Sequence, residues 1–212
     1  GIAAFTGDVF ADAQDYSGAA SATVTGTVTL DADNAAGAVN FTGTNLTGSG
    51  ATLNVDVDAS STVTFAQVGA AGTELANVDV DTGIVAFTGD VFANAQDYSG
   101  AASATITGSR ILDADAASGA ITFNGTALTR TAGTDTLTLK GQAADTLTLG
   151  SVGAAGAELA TVTVNTGIAA FTGDVFADAQ DYSGAASATV TGTVTLDADN
   201  AAGAVNFTGT NL

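Results

Sequence analysis

Residues 167–212 reproduce residues 1–46 letter for letter, and a diverged copy begins between them at Gly83. The start-to-start spacing is 82 residues from Gly1 to Gly83 and 84 from Gly83 to Gly167. The chain therefore reads as repeat A (1–82), repeat B (83–166) and a partial repeat A (167–212) of a longer tandem array. A fixed period of this length points to stacked supersecondary units in place of one closed globule. An array shows the same surface again and again, which suits length, stiffness and multivalent contact better than one convergent catalytic constellation.

Period-two alternation runs through each copy. Thr27-Val28-Thr29-Leu30, Leu53-Asn54-Val55-Asp56-Val57-Asp58, Val63-Thr64-Phe65 and Val78-Asp79-Val80-Asp81 each place apolar side chains on one face and polar ones on the other, the mark of a half-buried strand. Gly, Thr, Val and Asp dominate, and all of them disfavour helix. Only Asp8 to Gln14 reads as a helical turn. Gly-rich or Asp/Asn-rich breaks such as Asp33-Asn34-Ala35-Ala36-Gly37 and Gly69-Ala70-Ala71-Gly72 separate the strands.

A second, shorter spacing lies inside the repeat. Asn54-Val55-Asp56-Val57-Asp58 recurs as Asn77-Val78-Asp79-Val80-Asp81 at an offset of 23, and Phe41 to Phe65 is an offset of 24. These offsets match one turn of a three-sided β-solenoid, with about four coils in each 82–84-residue repeat, each adding about 4.8 Å along the axis. The expected fold is all-β, a parallel β-solenoid or β-helix. The alternative is a string of immunoglobulin-like β-sandwiches, whose usual domain length is close to the repeat. Asp135-Thr136-Leu137-Thr138-Leu139 and Asp145-Thr146-Leu147-Thr148-Leu149, flanking Lys140-Gly141-Gln142, read as a hairpin and favour that alternative. Absent Trp and Pro, Ala-heavy strands and the lack of a polar linker between copies favour the solenoid.

Divergence between A and B separates interior from surface. Val24 becomes Ile106 and Val39 becomes Ile121, whereas Asp12 becomes Asn94 and Asn40 becomes Thr122. The two extra residues of B fall between Leu128 and Val152, in the stretch that carries Arg130 and Lys140, and mark a local protrusion.

Twenty Asp and two Glu face only Arg110, Arg130 and Lys140, for a formal net charge of -19. Such a surface repels phosphate backbones and anionic lipid, so no nucleic-acid partner is expected. No apolar run approaches the length of a membrane helix, so no membrane insertion is expected in this segment. Cys, His, Met, Trp and Pro are absent, which removes disulfides, thiolate or imidazole metal sites and histidine acid–base chemistry. The lack of Met leads to the expectation of an excerpt or processed product, with any signal peptide outside it.

The Asp pairs are the one feature with cation chemistry. Asp31 with Asp33, Asp113 with Asp115 and Asp197 with Asp199 recur in all three copies just before a Gly-containing turn. Their two readings are a calcium contact, since hard cations take carboxylate oxygens, and a solvated acidic turn. Asp79 and Asp81 become Thr163 and Asn165 in B, and Thr and Leu take the places of Asp56 and Asp58, so those pairs are not sustained. No catalytic residue and no organic cofactor is assigned, and the chain is not expected to be an enzyme. The repeated Asp-Tyr-Ser-Gly at 15–18, 97–100 and 181–184 places each Tyr ring over a core edge, with its hydroxyl on a backbone group.

Segments such as Ala22-Thr23-Val24-Thr25-Gly26-Thr27-Val28-Thr29-Leu30-Asp31 and Gly37-Ala38-Val39-Asn40-Phe41-Thr42-Gly43 resemble the repeat regions of large exported bacterial surface proteins. The likeness is to filamentous-haemagglutinin-like and autotransporter-type adhesins or filaments. It implies a right-handed parallel β-helix, an extracellular or cell-surface location, and a structural role as fibre or stalk that gives length, stiffness and protease resistance. The partners it implies are neighbouring repeats or copies of the chain in a filament, and a host or surface glycan or receptor. The alternative function is a repeated calcium- or glycan-binding adhesion module.

Overall fold

The computed structural model describes residues 1–34, 36–198 and 203–212. Thr, Val, Asn and Asp in alternation form strands with every second side chain buried, as in Thr52–Val57, Thr62–Phe65 and Thr136–Gly141. Every strand pairing is parallel among the described residues, and no helix occurs there. Parallel neighbours need a crossover; here the crossover is the rest of the coil, and the chain is a β-solenoid.

Three faces enclose the bore. In the first coil, Ile2–Phe5 lies on face 1, Val9–Phe10 on face 2 and Gln14–Asp15 on face 3. Face 3 then stacks Val39–Asn40, Thr62–Phe65, Ile84–Phe87, Ser103–Ile106, Ala127–Arg130, Val152, Val175 and Leu196. About eight turns therefore separate Gln14 from Leu196. The parallel arrangement excludes the β-sandwich alternative. It also corrects two local readings. Thr136–Gly141 and Thr146–Leu149 are successive passes on faces 1 and 2 of one coil, not a hairpin. Asp8 to Gln14 forms no helical turn, because Val9–Phe10 and Gln14–Asp15 are short strands of two different faces.

The coil and the repeat do not share a period. Repeat A contains ten strands, Ile2–Phe5 to Leu75–Val80, plus the single-residue bridge at Val68. At three passes per coil these eleven passes make three and two-thirds turns, which refines the four coils expected from the 23- and 24-residue offsets. Coil length is uneven: Val78 pairs with Gln96, 18 residues on, and Leu112 with Leu139, 27 residues on. As a result the same sequence changes face from copy to copy. Ile2–Phe5 lies on face 1, Ile84–Phe87 on face 3 and Ile168–Phe171 on face 2. Successive repeats are thus related by a third of a revolution and a rise of about 18 Å, from the usual strand spacing of about 4.8 Å.

Aliphatic and aromatic side chains fill the bore in columns. Phe41, Phe65 and Phe87 stack at 6.4 Å between ring centroids, and Phe87 meets Tyr98 edge-on at 5.0 Å, which in turn stacks on Phe123. In repeat B, Leu149 takes the place of Phe65 between Phe123 and Phe171 and is equally buried. Valine-for-isoleucine exchanges at 24/106 and 39/121 lie in this core, as their chemistry demands. At the corner after Val68, Gly69 has φ +64°, and a Cβ there would lie 2.2 Å from the carbonyl oxygen of Phe92 in the next coil; Gly153 repeats this over Phe176. Coil-to-coil approach at that corner requires glycine.

The rotation between copies is testable with spin labels on cysteines replacing the exposed Ser17, Ser99 and Ser183. The 17–183 distance is expected to be well under twice the 17–99 distance, because the labels lie on different sides of the rod. Distances in a ratio of two would place the copies in line and overturn the eleven-pass repeat.

Candidate functional site

Each acidic turn closes a strand and leads to the next corner. Asp31 lies near the end of Thr27–Ala32 on face 2, Asp113 near the end of Ser109–Ala114 on face 1, and Asp197 at the end of Leu196–Asp197 on face 3. The eleven-pass repeat therefore sets Asp31, Asp113 and Asp197 on three different faces and does not bring them together. Within a pair the first carboxylate binds backbone: Asp31 Oδ1 accepts the Asp33 N–H at 3.3 Å and Asp113 Oδ1 accepts that of Asp115 at 3.1 Å. This is the Asx turn that short acidic side chains favour. Asp199 lies outside the described residues. Among the described residues no group of three or more metal-ligating side chains converges.

What positions these turns from inside was not read from the sequence. Gln14, Gln96 and Gln180 are buried, and each donates Nε2 to the carbonyl of the first Asp of the turn in the next coil, at 2.8, 2.9 and 2.7 Å. Each Gln Oε1 accepts the hydroxyl of the Tyr two residues on, at 2.9, 3.2 and 3.0 Å. The hydroxyl thus meets a side chain, which corrects the backbone contact expected for it. Tyr98 and Tyr182 are fully buried, and burial raises their pKa above the ordinary 10.0, for Tyr98 with a smaller push from Asp97. At the separate corner that follows the Gln-Asp-Tyr strand, Thr126 Oγ1 donates to the Tyr98 and Ala101 carbonyls at 2.6 and 3.1 Å; Thr44 and Thr210 do the same in their copies. The recurrence of Gln-Asp-Tyr in every copy was the available signal.

Asp56 and Asp58 do not give way to Thr and Leu in repeat B. Register puts Asp56 beside Asp31 in A, and Lys140 beside Asp113 in B, with Lys140 Nζ 3.1 Å from Asp113 Oδ2. The two extra residues of B occupy one corner, where Leu46 to Thr52 in A becomes Leu128 to Thr136 in B, so that positions beyond it correspond two residues later. That longer corner is tied down by Asp135. Its Oδ2 accepts the N–H groups of Thr131 and Ala132 and the Thr131 hydroxyl, and its Oδ1 accepts the N–H of Gly108 in the preceding coil.

The carboxylates fall into two electrostatic groups. Burial raises the pKa of Asp135, but the donors from Ala132, Gly108 and Thr131 outweigh it and hold the group below the ordinary 3.8. The Ser183 side chain and N–H do the same for Asp181. In contrast, Asp33 lies above 3.8 through its contact with Asp31, with a smaller contribution from Asp56, and Asp79 through burial and the charges of Asp81 and Asp97.

Comparison with family models, curated proteins and solved structures finds no match for this chain. The functional reading therefore rests on the geometry above and on the resemblance of the repeat sequence to exported surface arrays.

Two measurements follow from this chemistry. Tyr98→Phe leaves the buried Gln96 Oε1 without its donor and is expected to lower unfolding free energy by about 1–3 kcal/mol in urea titration; a change near zero would show that the clamp contributes nothing. For pH the signs are opposite in the two groups. Asp33 and Asp79 destabilise the fold when ionised, and acidification relieves this as pH falls through their raised values towards 3.8. The contributions of Asp135 and Asp181 are complete above 3.8 and are lost as pH falls through their lowered values. Melting temperature is thus expected to rise from neutral pH towards 3.8 and fall below it, and a steady decline from neutrality would contradict the assignment.

Proposed function

We propose that the chain is a stiff structural segment of an extracellular fibre or stalk on a bacterial surface, of the filamentous adhesin kind, in which the column itself is the working part. The observation that carries this reading is the continuous parallel ladder. On face 3 each pass pairs with the next from Gln14 to Leu196, with no break where repeat A passes into B at Gly83 or B into A at Gly167. Extension, bending and local opening all act against the same hydrogen-bonded stack and apolar bore, so repeat number sets length without adding hinges. Neighbouring repeats are the first partners of each repeat in this reading.

The distribution of basic residues fits exposure to proteases. Arg110, Arg130 and Lys140 all lie in strands, Ser109–Ala114, Ala127–Arg130 and Thr136–Gly141, where each pairs with a neighbouring coil, at Leu137, Ile106 and Asp113 respectively, and is less free than a loop residue to enter a protease cleft.

Small-angle scattering and cryo-electron microscopy of the chain, with calcium and then with a chelator, test the proposal. One unjointed rod is expected in both, with the axial layer spacing of about 4.8 Å and with trypsin leaving it intact for hours. A bent or beaded particle, or one that collapses when calcium is withdrawn, would overturn the fibre reading and favour the calcium-dependent module.

A further inference from the structure

We propose that neighbouring repeats respond unequally to ionic strength, added salt stabilising the coils of repeat A but not those of repeat B, because equivalent rungs of the stack carry like charges in repeat A and opposite or single charges in repeat B. The rungs are defined by strand register and do not depend on the fibre reading. In A, Asp31 lies directly beside Asp56. The equivalent rung of B is Asp113 beside Lys140, closed by the 3.1 Å ion pair. One coil further, Asp79 lies beside Asp97, with uncharged Asn54 on its other side. Its counterpart in B is Thr163, set between Thr138 and Asp181. Like charges directly opposite on adjacent strands destabilise the pairing, whereas opposite charges support it.

The surroundings sharpen the contrast. Asp56 is partly compensated by the Thr82 hydroxyl, which donates to its Oδ1 at 2.7 Å, but no cation lies in repeat A, since Arg110, Arg130 and Lys140 all belong to B. Asp79 is raised chiefly by burial, with Asp81 and Asp97 adding to it, and Asp33 chiefly by its pair-mate Asp31, with a smaller push from Asp56; Asp115 in B is also raised, by burial and Asp113, but there Lys140 pulls the other way. The Asp113 side chain is only 7% exposed and Lys140 28% exposed, whereas Asp31, Asp56, Asp79 and Asp97 are all half-buried, so the attraction in B is screened less than the repulsion in A. At low ionic strength the A coils are the first to open; added salt screens their repulsion and weakens the B pair, so the order of opening shifts along the rod.

Native-state hydrogen exchange of the intact chain at neutral pH, read by mass spectrometry in about 20 mM and about 500 mM NaCl, tests this, since these concentrations bracket a Debye length of about 10 Å. Exchange across Thr52–Val57 and Leu75–Val80 is expected to slow by about two- to fivefold in high salt. Exchange across Thr136–Gly141 and Leu159–Val164 is expected to stay constant or quicken. Equal changes of the same sign in both repeats would overturn the proposal. Two variants reverse the prediction: Asp56→Lys is expected to remove the salt response of Thr52–Val57, and Lys140→Asp to give Thr136–Gly141 that response. A folded Lys140→Asp chain in which B keeps its original response would also overturn it, and the comparison within the unaltered chain stands if either variant fails to fold.

Discussion

The structure depends on stacking each coil over the last with strand hydrogen bonds in register. A parallel strand cannot be satisfied by its sequence neighbour, so the chain completes a circuit before it returns to pair with itself. Once it does, side chains from successive coils meet the same kind of side chain above and below. Phe41, Phe65 and Phe87 form a column by this rule, and Val39, Val63 and Val85 form another beside it. The same rule acts on polar positions, which is why a charged rung is never an isolated surface feature: Asp31 must have a neighbour, and repeats A and B differ in whether that neighbour is Asp56 or Lys140.

The corners carry the polar chemistry. Strand edges in the stack are satisfied by the next coil, but turns have backbone groups that no strand completes. Here small polar side chains reach them from within the repeat: Asp carboxylates from outside, Gln and Thr from inside. Gln96 illustrates the cost of doing so in an apolar bore. Its Nε2 binds the Asp113 carbonyl, and its Oε1 then requires Tyr98, whose ring must be accommodated against Phe87 and Phe123. Glycine solves the remaining corner, where Gly69 lets the chain pass against the Phe92 carbonyl.

The strands and their class were legible because alternation is a local property; Thr52–Val57 has the same buried-outward pattern in sequence and in space. The solenoid was legible from the offset between Phe41 and Phe65, which are true axial neighbours. What escaped was whatever depends on coil-by-coil length. The 23-residue offset of the Asn-Val-Asp-Val-Asp motif is not its register, since Asn54 pairs with Asp79 at 25. Uneven coils also hid the eleven-pass repeat, and two inserted residues hid the match between Asp56 and Lys140. The Asp pairs were visible as a recurring motif, but the dispersal of Asp31, Asp113 and Asp197 to three faces follows from the pass count and from nothing in the motif itself. The Gln clamp was missed because a lone Gln beside Asp and Tyr has the composition of a solvated turn, and only its burial reveals the role.

The mismatch between coil and repeat governs where the imperfections fall. If each repeat held a whole number of coils, the long corner and leucine-for-phenylalanine exchange of B and the crowded charges of A would each recur along one fixed edge of the column. With two-thirds of a turn left over, each imperfection is dealt to every side of the column in rotation. Over three A–B pairs, each a further third of a revolution round from the last, no face of such a column collects the imperfections of every repeat.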